Sequence, residues 1–442
     1  MTLPNFLRTR VRWILIGWMF AISAVAYLDR VNISIAGSLI EQDFHLTDIQ
    51  LGWVFSAFVL GYALSQAPGG RTADRFGPRR VVAIGAIWWA VFTALTAWVP
   101  PSAAFSLALL LAVRFLLGVG EAVVYPASNR LVAAWFPSQE RGIANGIIFA
   151  GVGAGAGVAP PLITRINAQF GWHWSFWISS ILGLGAGAVW LFLTRDTPDE
   201  HPWITREENA YIKSGLPVKT PAHKPLSWGA IFGNRHVIAL TLSYSAFGYV
   251  AYIFFSWFFI YLVKVRGLNL KASAWYGMLP FIAMAVGSPA GGLIGDWLTR
   301  HYGKRVGRRG TAMAGLALAG IFVALSTQAH DARLASLVLA GGAGALYLST
   351  SSFWSVSSDI GGNSAGSVSG VMNMGNQLAG ALTASVTPLI AAHYGWTASF
   401  LVAAGLCIAG SLAWLLVDPN QVIARDTQVG QAAPPVLFTN PR

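Results

Sequence analysis

Apolar runs of about twenty residues, following one another with little charge between them, constrain this chain more than any other feature. A helix needs about 20 mostly apolar residues to cross a bilayer. By that measure, spans are predicted near 13–38, 49–69, 81–99, 103–127, 140–164 and 172–194, and again near 237–263, 273–295, 310–329, 333–355, 364–392 and 396–417. Charged residues make up 10% of the chain, against roughly 25% in a soluble domain. That is too little to cover a water-facing surface, so lipid is the expected solvent. The 48 glycines fit the same reading, because small residues let membrane helices approach closely. The fold class predicted is an all-α membrane protein with twelve transmembrane helices.

The first run, Trp13 to Ser38, is too long for the apolar stretch of a signal peptide and contains Asp29 and Arg30, so it reads as a retained helix. A net charge of +12 would suit a nucleic-acid binder, but the basic residues fall in short clusters between apolar runs, which is how topology is signalled. With the N-terminus inside, 22 of the 29 Lys and Arg lie on the cytoplasmic side, five on the other side, and Arg30 and Arg114 within helices. Both termini are therefore expected in the cytoplasm, the protein in a bacterial inner membrane, and the chain a monomer without a nucleic-acid partner. The single cysteine, Cys407, excludes an intrachain disulfide, and no Cys/His cluster has metal spacing. No nucleophile–base constellation points to an enzyme. The expected cofactors are none, with protons as coupling ion.

The two halves repeat. Gly69-Gly70-Arg71-Thr72-Ala73-Asp74 follows helix 2 and Gly291-Gly292-Leu293-Ile294-Gly295-Asp296 ends helix 8, an offset of 222 between the aspartates. Gly171-Trp172-His173-Trp174-Ser175-Phe176 matches Gly395-Trp396-Thr397-Ala398-Ser399-Phe400, and Gly142/Gly146 match Gly366/Gly370, both at 224. An even number of helices lies within that offset, so the halves share one orientation, a parallel repeat about an axis along the membrane normal. The expected divisions are an N-terminal bundle (1–194), a cytoplasmic linker (195–236), a C-terminal bundle (237–418) and a disordered tail (419–442).

Gly70-Arg71-Thr72-Ala73-Asp74-Arg75-Phe76-Gly77-Pro78-Arg79-Arg80 resembles the loop 2–3 signature of the major facilitator superfamily (the MFS fold of two pseudo-symmetric six-helix bundles), and Arg114-Phe115-Leu116-Leu117-Gly118-Val119-Gly120-Glu121-Ala122 resembles its helix 4 motif. Tyr27-Leu28-Asp29-Arg30-Val31-Asn32, and Asp359-Ile360-Gly361-Gly362 through Met374, are similar to the anion:cation symporter branch, which includes hexuronate, galactonate and glucarate permeases. The resemblance implies proton-coupled carriage of organic acids, with Asp29 and Glu121 carrying protons and Arg114 coupling them.

The residues themselves support that reading. A charge within a spanning helix costs roughly 2.5–3.5 kcal/mol on insertion-based scales and usually marks a pathway or a pair. Arg30 offers a fork suited to a carboxylate, with Tyr27 three residues earlier on the same face and Tyr62 in helix 2 as a further contact. The competing reading is that Arg30 merely pairs with a neighbouring acid. Asp29 and Arg30 point about 100° apart, so Asp29 is expected to face a neighbouring helix. Arg114 and Glu121 lie about 10.5 Å apart along one face, too far to pair directly, and Arg114 is expected to reach Asp29 or another acid or to serve helix packing.

The C-terminal half lacks such charges. It offers Asn373, Asn376 and Gln377 in helix 11, as substrate contacts or as interhelical bonds, and Trp354 in helix 10, as a stacking surface or as packing. The run Gly151 to Gly157, followed by Pro160-Pro161, departs from sugar-acid permeases and is similar to a helix 5 motif of drug:proton antiporters; close helix packing is the favoured account. Gly70, Asp74, Arg75 and Asp296 are expected to hold the cytoplasmic side shut through charge pairs and helix-end contacts, away from substrate. The function expected is import of a small organic anion with protons by alternating access, with a drug or metabolite:proton antiporter of the same fold as the alternative.

Overall fold

The computed structural model describes residues 11–102, 105–216, 226–258, 261–268 and 270–423. The predicted tail beyond 423 and the linker prolines Pro221 and Pro225 lie outside them. Twelve spanning helices follow in order: α1 (Val11–Phe44), α2 (Asp48–Phe76), α3 (Pro78–Trp98), α4 (Ser106–Trp135), α5 (Arg141–Phe170), α6 (Trp172–Leu193), α7 (Arg235–Tyr252, continued by Ile253–Trp257 and Tyr261–Val265), α8 (Leu270–Lys304), α9 (Thr311–Ser326), α10 (Ala332–Gly361), and α11 and α12, which share the run Ala365–Ala413 and divide at Gly395. By length and apolarity alone nine stretches among the described residues qualify as spans. The difference is physical. Gln66 and the glycine, serine, tryptophan and tyrosine residues of 51–68 hold the hydropathy of α2 down, and tight turns at Gly303, Gly362 and Gly395 let adjacent helices run together. Gly171 and Gly395, the 224-residue match, both take φ above +80°, a region open to glycine at little cost.

Several helices run longer than their apolar cores predict: α2 continues to Phe76 and α10 to Gly361. Helix α4 loosens after Glu121 and resumes at Val124. Pro126 accounts for this, since it lacks the N–H that would bond the carbonyl of Ala122 four residues back. Helix α7 carries two π-helical turns over Ile253–Trp257 and Tyr261–Val265. Within the linker, Arg206–Gly215 forms a short helix. Its buried Glu208 accepts from the backbone N–H groups of Val11 and Arg12 at 3.2 and 3.1 Å, capping α1.

The halves meet along α2 against α11 and α5 against α8. At the end bearing the described termini the contacts are reciprocal. Asp74 accepts from the backbone N–H of Gly366 and Ser367 at 2.9 and 2.7 Å, at the start of α11. Asp296 accepts from the N–H of Gly142 and Ile143 at 3.0 and 2.6 Å, at the start of α5, and pairs with Arg308 at 2.5 Å. Each half thus supplies a carboxylate to the positive helix end of the other, which is the structural meaning of the sequence repeat. Arg75 departs from expectation: it is exposed, its guanidinium lies 5.2 Å from the Phe76 ring, and no ion pair of Arg75 occurs among the described residues. Arg130, at 3.7 Å, faces Asp74 instead. Arg141 and Lys304 both reach Asp359, at 2.6 and 3.1 Å, reinforcing the seal.

Backbone lies against backbone at this seal. A Cβ on Gly70 would collide with the carbonyl oxygen of Gly366, and one on Gly292 with that of Gly142. Gly70→Ala should therefore disfavour the state closed at this end. Cys407 is buried, so a cysteine placed at the buried Ser358 reports on opening. Its labelling should be faster in Gly70→Ala than in the parent, and equal rates would refute the tight contact.

Candidate functional site

Between the halves lies a cavity of about 1160 Å³. Its walls come from the halves of α1, α2, α4, α5, α7 and α8 remote from the sealed end, including exposed Arg165 and Trp275, so it opens opposite the seal. A second space of about 20 Å³ lies deeper between the halves, room for about one water. Tyr27, Tyr252 and Phe255 line both and form the partition between them.

Arg30 stands on the cavity wall. Its Nη2 donates to Glu121 Oε1 at 2.7 Å and its Nη1 to the Tyr27 hydroxyl at 3.3 Å. Its guanidinium carbon lies 4.6 Å from the Tyr27 ring, 4.2 Å from Tyr62 and 5.2 Å from Phe58, an aromatic cage that favours a cation by cation–π attraction. The side chain keeps 13% of its surface exposed while Glu121 keeps 1%, so the arginine is reachable and its acid is shielded behind it. The adjacent Asp29 turns the other way, as a 100° step requires. It is buried against α3, where Thr93 donates to its Oδ2 at 2.7 Å.

Arg114 does not reach Asp29: no ion pair of Arg114 occurs within 4.0 Å among the described residues. It lines the cavity with its guanidinium carbon 5.0 Å from the Phe58 ring. Nor do Arg114 and Glu121 pair, in keeping with their separation along α4.

The C-half residues sit behind the partition. Asn373 donates to Gln66 Oε1 of α2 at 2.9 Å, Asn376 to Asn373 Oδ1 at 3.1 Å, and Tyr252 to Gln377 Oε1 at 2.5 Å. All three amides border the small space. Trp354 is fully buried. It packs 4.9 Å from Phe149 and 6.1 Å from Tyr125, with its indole N–H donating to Tyr244 at 2.9 Å. In this state it has no free face, so of the two roles expected from sequence it shows the packing one. The Gly-rich run of α5 packs closely on two sides. Cβ atoms on Gly151 and Gly155 would strike the α1 carbonyls of Phe20 and Ala24, and one on Gly153 the Phe281 carbonyl of α8.

Sequence reasoning missed most of the inner lining. Six of the chain's twelve tyrosines border the small space; Tyr27 and Tyr62 were anticipated, whereas Tyr125, Tyr244, Tyr252 and Tyr347 were not. It also passed over Gln66 and Thr93. The available signal was chemical, since a phenol or amide within an apolar span needs a polar partner.

The geometry can now be set beside known proteins. The family model described as Major Facilitator Superfamily matches residues 19–384 and 302–441. The chain belongs to that superfamily. It is similar to the probable sulfoacetate transporter SauU of Cupriavidus necator, 33% identical with 93% of this chain and 95% of that protein covered. It is also similar to the probable galactarate/D-glucarate transporter GudP of Escherichia coli, 32% identical with 72% and 73% covered. Among solved structures, the proton:xylose symporter XylE aligns with a TM-score of 0.73 at 16% identity, covering 93% of this chain and 97% of that one. FucP in an outward conformation aligns at 0.67 and 17%, covering 92% and 98%. These two show the fold. The curated relatives are named transporters rather than enzymes, and this superfamily member is a multi-pass membrane protein.

Removing the donor to Asp29 is a direct test of the buried cluster. Thr93→Val keeps the shape but leaves a buried carboxylate oxygen unbonded, at a cost of about 1–3 kcal/mol. Thermal unfolding of the purified protein in detergent should shift downward, and an unchanged midpoint would show that the bond contributes nothing.

Proposed function

We propose that this protein is a secondary active transporter that imports a small organic anion together with protons across a bacterial cytoplasmic membrane, with both termini in the cytoplasm. The observation that carries the reading is Arg30, a reachable guanidinium on the wall of the central cavity, held by a shielded carboxylate at 2.7 Å. Glu121 and a substrate carboxylate compete for one fork. While Glu121 is ionised it occupies Arg30; once protonated it releases the guanidinium to a ligand. Proton and anion then favour each other's binding, and the coupling is reciprocal. The acids in the relatives' names, sulfoacetate and galactarate/glucarate, support an anionic cargo. The 22-to-5 split of basic residues supports the orientation, which makes the state described here open to the outside.

Transport proceeds by rocking the two bundles about the midplane site. The reciprocal Asp74 and Asp296 contacts release as the inner side opens, and the cavity walls close over the ligand from outside. Asp29, on the same helix as Arg30 and buried against α3, is a second proton carrier in this reading, and Arg114 couples it to the Arg30–Glu121 pair through its charge, without a direct contact in this state.

Purified protein in proteoliposomes should accumulate an organic acid when the exterior is made more acidic than the lumen. Uptake indifferent to that gradient would refute symport. Arg30→Lys keeps the charge but loses the fork. Since a charge-assisted bond is worth about 1.5–3 kcal/mol, the Kd for the acid should rise about ten- to a hundredfold. Affinity equal to the parent would remove Arg30 from the site.

A further inference from the structure

Resting on the anion-transport reading above, we propose that the cargo carries two anionic groups, one taken by Arg30 and the other by Arg114, so that the site selects short-chain dianions over monoanions. Two guanidiniums, half-buried Arg30 and buried Arg114, face the same cavity, and no carboxylate side chain lines it among the described residues. Their situations differ. Arg30 has an acid at 2.7 Å. Arg114, 1% exposed, has Nε and Nη1 without a protein acceptor, and Asp29 takes its hydrogen bond from Thr93 instead. A guanidinium presents five N–H donors, and leaving them unmet inside a membrane protein is costly enough that such groups are normally retained for function.

The two cations are placed for one ligand. The Phe58 ring supports both, with guanidinium carbons 5.2 and 5.0 Å from its centre, so these carbons are at most 10.2 Å apart. A compact molecule with an anionic group at each end can engage both forks, whereas a monoanion leaves one without an acceptor. The charge count agrees. Arg30 and Arg114 are matched by Asp29 and Glu121 when both acids are ionised. When both acids are protonated, a dianion restores that balance and a monoanion does not. Arg165, exposed on the outer wall of the cavity, adds a third positive group on the approach and draws anions inward.

The test uses the full chain in detergent and matched probes: succinate with butyrate, glucarate with gluconate, and sulfoacetate with acetate, each titrated by calorimetry at constant pH and ionic strength. In the pair the protein accepts, the dianion should bind about tenfold to a hundredfold more tightly, and in Arg114→Gln that ratio should collapse toward one. Dianion and monoanion binding equally to the parent protein would overturn this inference while leaving anion transport intact, and that comparison needs no variant to fold. An unchanged ratio in a monodisperse Arg114→Gln would overturn the role of Arg114. Failure of every acid to bind would overturn the transport reading itself.

Discussion

A guanidinium held midway through an apolar bundle dictates much of what surrounds it. Arg30 does not lose its charge under any condition the protein meets, so the bundle must supply what water would. It does so with Glu121, the Tyr27 hydroxyl and three aromatic faces. Each provision limits something else. Glu121 stands just before the turn loosened by Pro126. Tyr27 is committed to the floor of the cavity, and Phe58 is shared with the second arginine. The charge cluster belongs to the N-terminal bundle, leaving the C-terminal bundle to contribute neutral amides and phenols. The two halves therefore differ at the centre of the molecule and match at Gly171/Gly395 and at its sealed end.

At that end the duplication is nearly intact. The pair Asp74–Gly366 and the pair Asp296–Gly142 are one interaction written twice, each a carboxylate from one half on the opening turn of a helix from the other. Glycine permits the approach and the helix end provides the attraction. The linker is fastened to the same region, because Glu208 caps α1 and Tyr211 reaches Glu140 in the loop before α5.

Much of this was legible in the sequence, and the reason is contrast. Asp29, Arg30, Arg114 and Glu121 stand out because lipid-spanning runs tolerate so few charges. The 222- and 224-residue offsets stood out because both ends of each reciprocal contact are glycine or aspartate. What was illegible is which charge meets which. Arg30 with Glu121, rather than Arg114 with Asp29, depends on the rotation of α1 and α4 about their axes, and helical spacing leaves that open between separate helices. Trp354 stayed open between stacking and packing for a related reason: an indole among serines looks available until Phe149, Tyr125 and Tyr244 are seen around it. Tyr125, Tyr244, Tyr252 and Tyr347 were overlooked because a phenol in an apolar run resembles ordinary packing.

The partition formed by Tyr27, Tyr252 and Phe255 sets an order of events. A molecule arriving from the open side meets the arginines first, while the amides of α11 wait beneath the rings with about 20 Å³ of space beside them. If the proposed function holds, charge is inspected before shape: a neutral molecule entering from the open side has nothing to offer the two guanidiniums and is sorted out before it can test its fit against the amides behind the rings.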